Sequence, residues 1–532
     1  MAASTPMRLV LSPREQQLLT TFLRDHFSDK IRKPDEYDSQ SAQRDNFNLA
    51  SFRAASRVYA ATSLSLKLVA STLNAVSLRT QRKSGRPVQL RKPIVASPSR
   101  FALSLASLLF FHRTLYRLFS KLRLQLLHEK VQNIRERWPK LYAILTSKLT
   151  PAIGASLSGL SFGICPSDQP RVTIAIYVGW RALEVLYDVL SARGLTRNNP
   201  FGHWAIFALA QGQLLHAFVF DRDCFPEAYS NLILANTPEY VQRRPTNLSP
   251  KVAWPTTNQI VDSIAEMARL NWPPFISPIL RPNAKSPSST LPPSINPIIN
   301  PITSRAHPSL TNLSCALIHP SQTSCFIAYL RQTLLSFPSL LRFFTIYYGA
   351  LSVVMSPQKF LPAQNNLLPQ LNKLSQQIFR TTTALTGAIG VSWASICLFQ
   401  QIFPRKFLPQ FRFVLGGFLG GLFQIVEGNS SAGYANSMYA ARTSVDSLWK
   451  VGVKRGWWRG VKGGDVYVLV AAMAVLNVCW DVGGERLRRE QRMLRVLKVL
   501  RGEVELGLGE KKVKKESVPG ESEAVVGMEK QD

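Results

Sequence analysis

The cysteine and histidine residues at positions 315–325 are the part of the sequence with the clearest potential for chemistry. Cys315, His319 and Cys325 are separated by three and five residues, and thiol and imidazole groups are donors that bind zinc. A closed tetrahedral site needs four ligands, however, and the nearby sequence offers only His307, whose spacing is poor. We therefore interpret the three residues as ordinary thiols and a loop histidine, and we expect no metal and no cofactor.

The other cysteines and histidines form no recognisable catalytic arrangement. Cys165, Cys397 and Cys479 lie in apolar runs, where a thiol behaves as a small hydrophobic group. No C-x-x-C spacing occurs, which argues against a disulfide framework. The H-E-x-x-H and G-x-S-x-G motifs are also absent. We expect no catalytic residue and no enzymatic activity; an embedded enzyme would need an acid–base or metal set that only folding brings together.

Two charged pairs lie inside apolar segments. Arg181 and Glu184 are three residues apart, and Arg442 and Asp446 are four apart, so each pair shares one face of a helix. A charge within a membrane span is costly unless it is paired or faces a polar cavity. These residues are candidates for an intramembrane polar seam. The alternative is a structural ion pair, or a helix that lies at the membrane interface.

Glycine is concentrated in apolar segments of both halves. The G-G-x-x-G-G pattern at 416–421 places glycines four residues apart on one helical face, which lets two membrane helices approach closely. A phosphate-binding loop is the alternative, but neither a preceding strand nor a following polar helix is indicated. The candidate packing residues are Gly154, Gly159, Gly416, Gly417, Gly420 and Gly421.

The composition points to a basic membrane protein. The 532 residues carry 64 Lys and Arg against 32 Asp and Glu, a net charge of +32, yet only 18% are charged. Soluble domains usually have about 25%. The basic residues punctuate apolar runs, and no acid occurs in residues 46–128 or 267–426. This arrangement favours membrane spans with basic flanks that meet anionic lipid, and it argues against nucleic-acid binding.

Several apolar segments have lengths near the roughly 20 residues that cross a bilayer. The longest without a charge is residues 381–404, between Arg380 and Arg405, and the next is residues 149–167. The sequence therefore predicts an all-α polytopic membrane protein with about eight or nine membrane helices, some tilted, half-spanning or simply buried. The remaining candidates are residues 101–119, 172–190, 203–220, 325–355, 413–426, 432–449 and 466–480.

The two halves resemble each other at a shift of 261 residues. The shift places Gly159 on Gly420 and Arg181 on Arg442 without a gap over roughly 60 residues. This pattern predicts two similar four-helix units, although identity is sparse and chance similarity of apolar sequence is the alternative. The connector would set the symmetry, because one span between the units inverts the second, whereas none or two keeps it parallel.

Composition divides the chain into six regions. We expect the region rich in Pro, Ser and Asn to be a flexible linker, and the amphipathic helix of the last region to lie on a membrane or in solvent. The regions are a basic, partly disordered N-terminal region (1–98), a first membrane helical unit (99–235), a Pro/Ser/Asn-rich linker (236–314), a connector with a His-Pro…Ser-Cys element and one span (315–360), a second membrane helical unit (375–484), and a basic amphipathic helix with a disordered tail (485–532).

Three segments resemble the transmembrane protein 135 family, in the order found in its fungal members. Residues 173–190, with Arg181 and Glu184, are similar to the family's Y-x-x-x-R-A-L-E helix, and residues 203–234 to its next span and exit loop. The family's His-Pro-Ser-Cys element is matched by His319, Pro320, Ser324 and Cys325, although three residues split it here.

The resemblance implies an organelle-membrane protein of peroxisomes or mitochondria that takes part in lipid or sterol handling. It implies membrane lipids as partners, and we expect membrane-protein partners or a homo-oligomer as well. The alternative is a scaffold without transport activity, whose basic tail and linker recruit partners or anionic lipid.

Overall fold

A computed structural model describes residues 12, 15, 18, 47–84, 95–127, 132–167, 169–196, 202–242, 244–245, 248, 252–280, 295–355, 367–428 and 430–502. Throughout these ranges the chain forms α-helices and short 3-10 helices, and no strand. The all-helical class predicted from the sequence is therefore confirmed. The chain divides into two compact units, the first comprising Met1–Thr196 with Gly463–Asp532 and the second Arg197–Lys462.

The first unit combines helices from both ends of the chain. A 3-10 helix, Leu157–Ile164, continues α5. The α-helices are α1 (Phe47–Ser84), α2 (Pro98–Leu126), α3 (Gln132–Arg137), α4 (Pro139–Thr146), α5 (Thr150–Ser156), α6 (Gln169–Ala192), α16 (Gly464–Val482), α17 (Glu485–Glu490) and α18 (Arg492–Arg501).

The second unit contains the middle of the chain. A 3-10 helix, Leu422–Glu427, continues α14 in the same way. The α-helices are α7 (His203–Phe220), α8 (Glu227–Ala235), α9 (Thr257–Arg269), α10 (Asn296–Thr303), α11 (Leu313–Ile318), α12 (Cys325–Met355), α13 (Leu367–Ile402), α14 (Phe411–Gly421) and α15 (Ser431–Lys454).

The core of the first unit lies around α5 and its 3-10 continuation. Helix α2 packs against these elements, as does α16, which also packs against α6. Phe162 of the 3-10 helix is fully buried with Leu108 of α2 and Met473 of α16. A single large aromatic side chain therefore links three helices at this point.

The core of the second unit is built around α7, α13 and α14. Helix α7 packs against α14 and α15, and α13 packs against α12 and α14. Trp393 of α13 contacts Phe218 of α7 edge to face, with ring centroids 6.4 Å apart, and stacks on Tyr240 at 6.1 Å. The stretch around Tyr240 thus contributes to the core.

The described parts of the Pro/Ser/Asn-rich stretch 236–314 include helices α9 and α10, while its residues 281–294 lie outside the described residues and the expectation of flexibility there stays a prediction. Helix α9 begins with a capping box, in which Thr256 and Gln259 each bind the other's backbone N–H through their side chains. Its apolar face, with Ile260, Ile264 and Met267, is buried in the core. Proline content was misleading because Pro297 lies in the first turn of α10, where a missing N–H costs little.

The basic tail helix packs against protein, which differs from the predicted position on a membrane or in solvent. Leu494 and Leu497 of α18 are fully buried among side chains of α6 and α16. Arg501 forms an ion pair with Asp481 (Nη1–Oδ1 2.5 Å). The tail predicted to be disordered, beyond residue 513, lies outside the described residues, as does much of region 1–98.

The two units do not coincide with the predicted segments 99–235 and 375–484. Helix α7 belongs to the unit formed by the second half of the chain, and α16 belongs to the unit formed by the first half. One helix of each predicted segment, α7 and α16, therefore belongs to the unit that contains most of the other segment. Close backbone contacts at glycine positions account for this assignment in physical terms.

Glycines of α14 lie at close contacts on two sides. A Cβ atom at Gly417 would overlap the carbonyl oxygen of Gln211, and one at Gly421 would lie 2.5 Å from Cα of Ala208, both on α7. A Cβ at Gly416 would overlap the Ser395 hydroxyl, and one at Gly420 would lie 2.6 Å from the carbonyl oxygen of Ala388, both on α13. The G-G-x-x-G-G segment thus lies between α7 and α13, and both helices approach its backbone closely.

The first unit has the same kind of contact. A Cβ at Gly154 of α5 would overlap the ring of Phe119 on α2. A Cβ at Gly159 would lie 3.2 Å from Cα of Val470 on α16. In both units, one glycine-containing segment is therefore packed between two longer helices.

Candidate functional site

Three helices in the described part of the chain are long and apolar enough to cross a membrane. They are Cys325–Val354 of α12, Leu368–Ile402 of α13 and Gly464–Val482 of α16. The first two contain the predicted spans 325–355 and 381–404 almost entirely. This establishes a chain with membrane-spanning capacity, whereas the number of eight or nine membrane helices stays a prediction.

Helix α12 presents most of its apolar surface to the outside. In an apolar 18-residue stretch of each helix, only 17% of the residues of α12 are buried, compared with 67% for α13. Phe326, Leu334, Ile346 and Val354 have exposed fractions of 70%, 65%, 65% and 76%. Contiguous apolar surface of this kind marks contact with lipid or with another protein.

The residues proposed for a polar seam are divided between the two units. Arg181 and Glu184 form an ion pair on α6 (Nη1–Oε2 2.5 Å), and the arginine also lies over the ring of Tyr177. On α15, Asp446 pairs with Lys450 (Oδ2–Nζ 2.7 Å). Arg442 lies one turn before Asp446 on the same helix.

The interior cavity between α7, α8 and α13 is small. It has a volume of about 30 Å³ and is bordered by Leu214, Tyr229 and Trp393. A space of this size suits one or two water molecules and is far too small for an acyl chain. Contact with lipid is therefore to be sought on the outer surface of the helices.

Three cysteines and one histidine meet where α11 and α12 pack beside the end of α13. Cys315 is on α11, His319 follows its last residue, Cys325 is the first residue of α12, and Cys397 is in the last two turns of α13. Their four ligand atoms all lie within 4.8 Å of one another. We call these residues the Cys₃His cluster.

The Cys₃His cluster is closely packed and mostly buried. Sγ of Cys315 lies 3.7 Å from Sγ of Cys325, and Nε2 of His319 lies 3.5 Å from Sγ of Cys397. Cys315, His319 and Cys397 are buried, whereas Cys325 is partly exposed. All four side chains are thus within reach of one ion, and all three sulfurs are free thiols.

The turn between α11 and α12 fixes the orientation of the imidazole. Nδ1 of His319 lies 3.0 Å from the carbonyl oxygen of Gln322, so that nitrogen donates the hydrogen bond and Nε2 points to the cysteines. The carbonyl of Pro320 accepts the backbone N–H of His307 (2.9 Å), and that of Ser324 accepts Ala328 N–H (3.1 Å). Pro320 and Ser324 therefore support the turn through their backbone.

Two opposing effects shift the pKa of His319. Burial lowers it, but hydrogen bonds to Cys315 and Cys325 outweigh burial and raise it from 6.5 to about 10.

Sequence reasoning recognised three members of this cluster and missed the fourth. Cys397 is separated from Cys325 by most of α12 and α13, within an apolar run that gave no sign of polar chemistry. Gln401, one turn beyond Cys397, donates from Nε2 to Sγ of Cys325 at 3.5 Å. The sequence offered one signal for the fourth member: Cys397 and Gln401 are polar residues four positions apart near the end of the predicted span 381–404.

Comparison of the chain with protein-family models, with curated proteins and with solved structures found no match in any of the three.

Proposed function

We propose that this chain is an integral protein of an intracellular organelle membrane, the peroxisomal or mitochondrial membrane, and that it handles lipid or sterol there. The observation that carries the membrane part is the exposed apolar surface of α12. The organelle and the lipid rest on the resemblance of residues 173–190, 203–234 and 319–325 to the transmembrane protein 135 family.

Lipid contact is expected on the outer face of α12. In isolated organelle membranes, a photoactivatable phospholipid or sterol should label peptides containing Phe326, Leu334 and Ile346. Peptides from the buried face of α9, with Ile260 and Ile264, provide the unlabelled control. Labelling of α9 as strongly as α12 would contradict the proposal.

The ion pair Arg181–Glu184 tests whether lipid handling uses the polar seam. In the transport hypothesis, Arg181→Ala impairs transfer of a fluorescent lipid between vesicles while the protein still accumulates normally. A structural ion pair predicts loss of the protein instead, because an unpaired Glu184 is left in a largely buried position.

A scaffold is the competing function, and a truncation separates the two. Because α18 is part of the first unit, the truncation should follow residue 502 and leave Leu494, Leu497 and Arg501 in place. A scaffold that recruits partners through its tail loses function in this variant, whereas a lipid transporter keeps it. Truncation after residue 484 would also remove α18 from the first unit. Both functions would then be lost, and the variant would not distinguish a scaffold from a transporter.

We further infer that the two units are repeats that have exchanged their last helices. At the shift of 261 residues, α7 (His203–Phe220) falls on α16 (Gly464–Val482), and α6 falls on α15 to within one residue. Equivalent contacts support the relation: Gly179 lies against Val468 in the first unit, and the corresponding Ala440 and Phe207 pack together in the second. In this proposal α2 also corresponds to α13 and α5 to α14, so that each repeat has four helices.

A further inference from the structure

We propose that Cys315, His319, Cys325 and Cys397 bind one zinc ion, which fixes α11 to the adjoining ends of α12 and α13. This site goes beyond the proposed lipid function and does not depend on it. Three thiolates and one imidazole are a donor set that occurs in structural zinc sites.

Two of the distances within the Cys₃His cluster match those of a zinc tetrahedron. Two sulfurs bound at about 2.3 Å in tetrahedral geometry lie about 3.8 Å apart, and a sulfur and a nitrogen lie about 3.6 Å apart. The observed Cys315–Cys325 and His319–Cys397 separations are 3.7 and 3.5 Å. These two pairs are therefore already spaced as zinc ligands are, and all four ligand atoms lie within 4.8 Å of one another.

The chemistry around the ligands suits an ion with no open position. His319 gives its Nδ1 hydrogen to Gln322, which leaves Nε2 as the ligand nitrogen, as is usual for zinc-bound histidine. Cys325 receives an N–H from Gln401 and stands at the N-terminus of α12, where the helix dipole favours a thiolate. Four protein ligands complete the tetrahedron, so the site is structural and not catalytic.

A disulfide explains the cluster less well than a metal ion does. Three cysteines share the site, so any one disulfide leaves the third thiol and His319 unused. Zinc uses all three sulfurs and the imidazole together.

The ion has a clear mechanical role at this position. Helix α11 has only six residues, too few to be stable alone, yet all six are buried. Helix α11 supplies one ligand, the turn after it supplies the second, the first residue of α12 supplies the third and α13 supplies the fourth. Zinc thereby holds the middle segment of the chain against the two helices that are best suited to cross a membrane.

The test is the metal content of the full-length protein. The chain is purified in detergent under reducing conditions with a tag that contains no histidine, and zinc is measured by mass spectrometry. We expect about one zinc ion per chain for the wild type, and loss of most of it in Cys397→Ser and His319→Gln. Cys224→Ser is the matched control, because Cys224 is a buried cysteine of the same unit outside the cluster.

A second measurement uses only the wild-type protein and tests the site even where the variants fail to accumulate. Wild-type protein is stripped with a chelator and titrated with cobalt(II) chloride. One equivalent should give the intense visible bands of tetrahedral cobalt with thiolate charge-transfer absorption, and zinc chloride should abolish them. Octahedral cobalt spectra, an iron–sulfur cluster in place of zinc, or equal zinc in the wild type and Cys397→Ser would each overturn the site.

Discussion

Gly417 shows how a single hydrogen atom in place of a methyl group determines helix packing. Its Cα faces the carbonyl of Gln211 on α7, and a Cβ would overlap that oxygen. Gly349 of α12 is also helical, but a Cβ there meets nothing within 4 Å. The two glycines thus differ in their surroundings and not in their backbone.

Gly417→Ala should therefore destabilise the second unit, by about 1–3 kcal/mol as for other overpacked sites. Gly349→Ala should be neutral or stabilising by up to about 1 kcal/mol, because alanine is the better helix former. Thermal unfolding of both purified variants in the same detergent measures the difference. Equal midpoints for the two variants would show that α7 and α14 are not in close contact.

At the scale of single residues, the members of the Cys₃His cluster are the hardest to predict. The spacing of Cys315, His319 and Cys325 was visible in the sequence, whereas Cys397 looked like one more apolar residue of a span. Likewise, Arg171 of α6 forms an ion pair with Asp465 at the start of α16, far away in the chain. Such contacts arise from tertiary packing, which no local pattern encodes.

Helix α18 shows that amphipathic character alone does not specify what covers the apolar face. A basic amphipathic helix can lie on anionic lipid or pack on protein. In this chain Leu497 is buried against α6 and α16, while Val499 of the same helix is 65% exposed. The sequence predicted a basic amphipathic helix with Leu494, Leu497 and Val499 among its apolar residues, and in the structure the two leucines are buried whereas Val499 is exposed.

Leu497→Asp should release α18 and lower the thermal midpoint of the protein, since burying an unpaired carboxylate in an apolar contact costs several kcal/mol. Val499→Asp adds the same charge to the exposed face and should leave the midpoint nearly unchanged. Limited proteolysis gives the second readout, with rapid cleavage in 483–502 expected for Leu497→Asp alone. Equal resistance of the two variants would contradict docking of α18.

Long apolar helices were predicted better than glycine-rich ones. The predicted segments 203–220 and 325–355 coincide with α7 and α12. In contrast, residues 149–167 and 413–426 each become a short α-helix followed by a 3-10 helix. A 3-10 turn is tighter than an α-turn, and apolar composition does not distinguish the two.

At the scale of the whole molecule, the assignment of α7 and α16 to their units is the feature that composition could not reveal. The shift of 261 residues was visible in the sequence, but it assigned each helix to its own half. The packing of α7 with α14 and of α16 with α5 assigns them otherwise. Backbone contacts at Gly159, Gly417 and Gly421 are compatible only with these neighbours.

Cysteine pairs test the proposed exchange of last helices directly. Gly179→Cys with Val468→Cys should crosslink α6 to α16, and Ala440→Cys with Phe207→Cys should crosslink α15 to α7, because both pairs are in contact. Electrophoresis without reductant after mild oxidation detects the crosslinks as shifts in mobility.

The matched control pair is Leu183→Cys with Tyr467→Cys, which joins α6 to α16 at positions that are 59% and 62% exposed. It should not crosslink. Crosslinking of the control to the same extent, or failure of both contact pairs, would refute the exchanged arrangement.

Extraction from purified membranes tests the central claim most directly. Peroxisomal, mitochondrial and microsomal membranes are each washed at alkaline pH, and a tagged full-length chain is followed by immunoblot. We expect the protein to remain in the pellet of the peroxisomal or mitochondrial membranes, because we propose that the exposed apolar surface of α12 contacts lipid. Release into the supernatant would mean that another protein covers α12, and it would contradict both the membrane spans and the proposed lipid function.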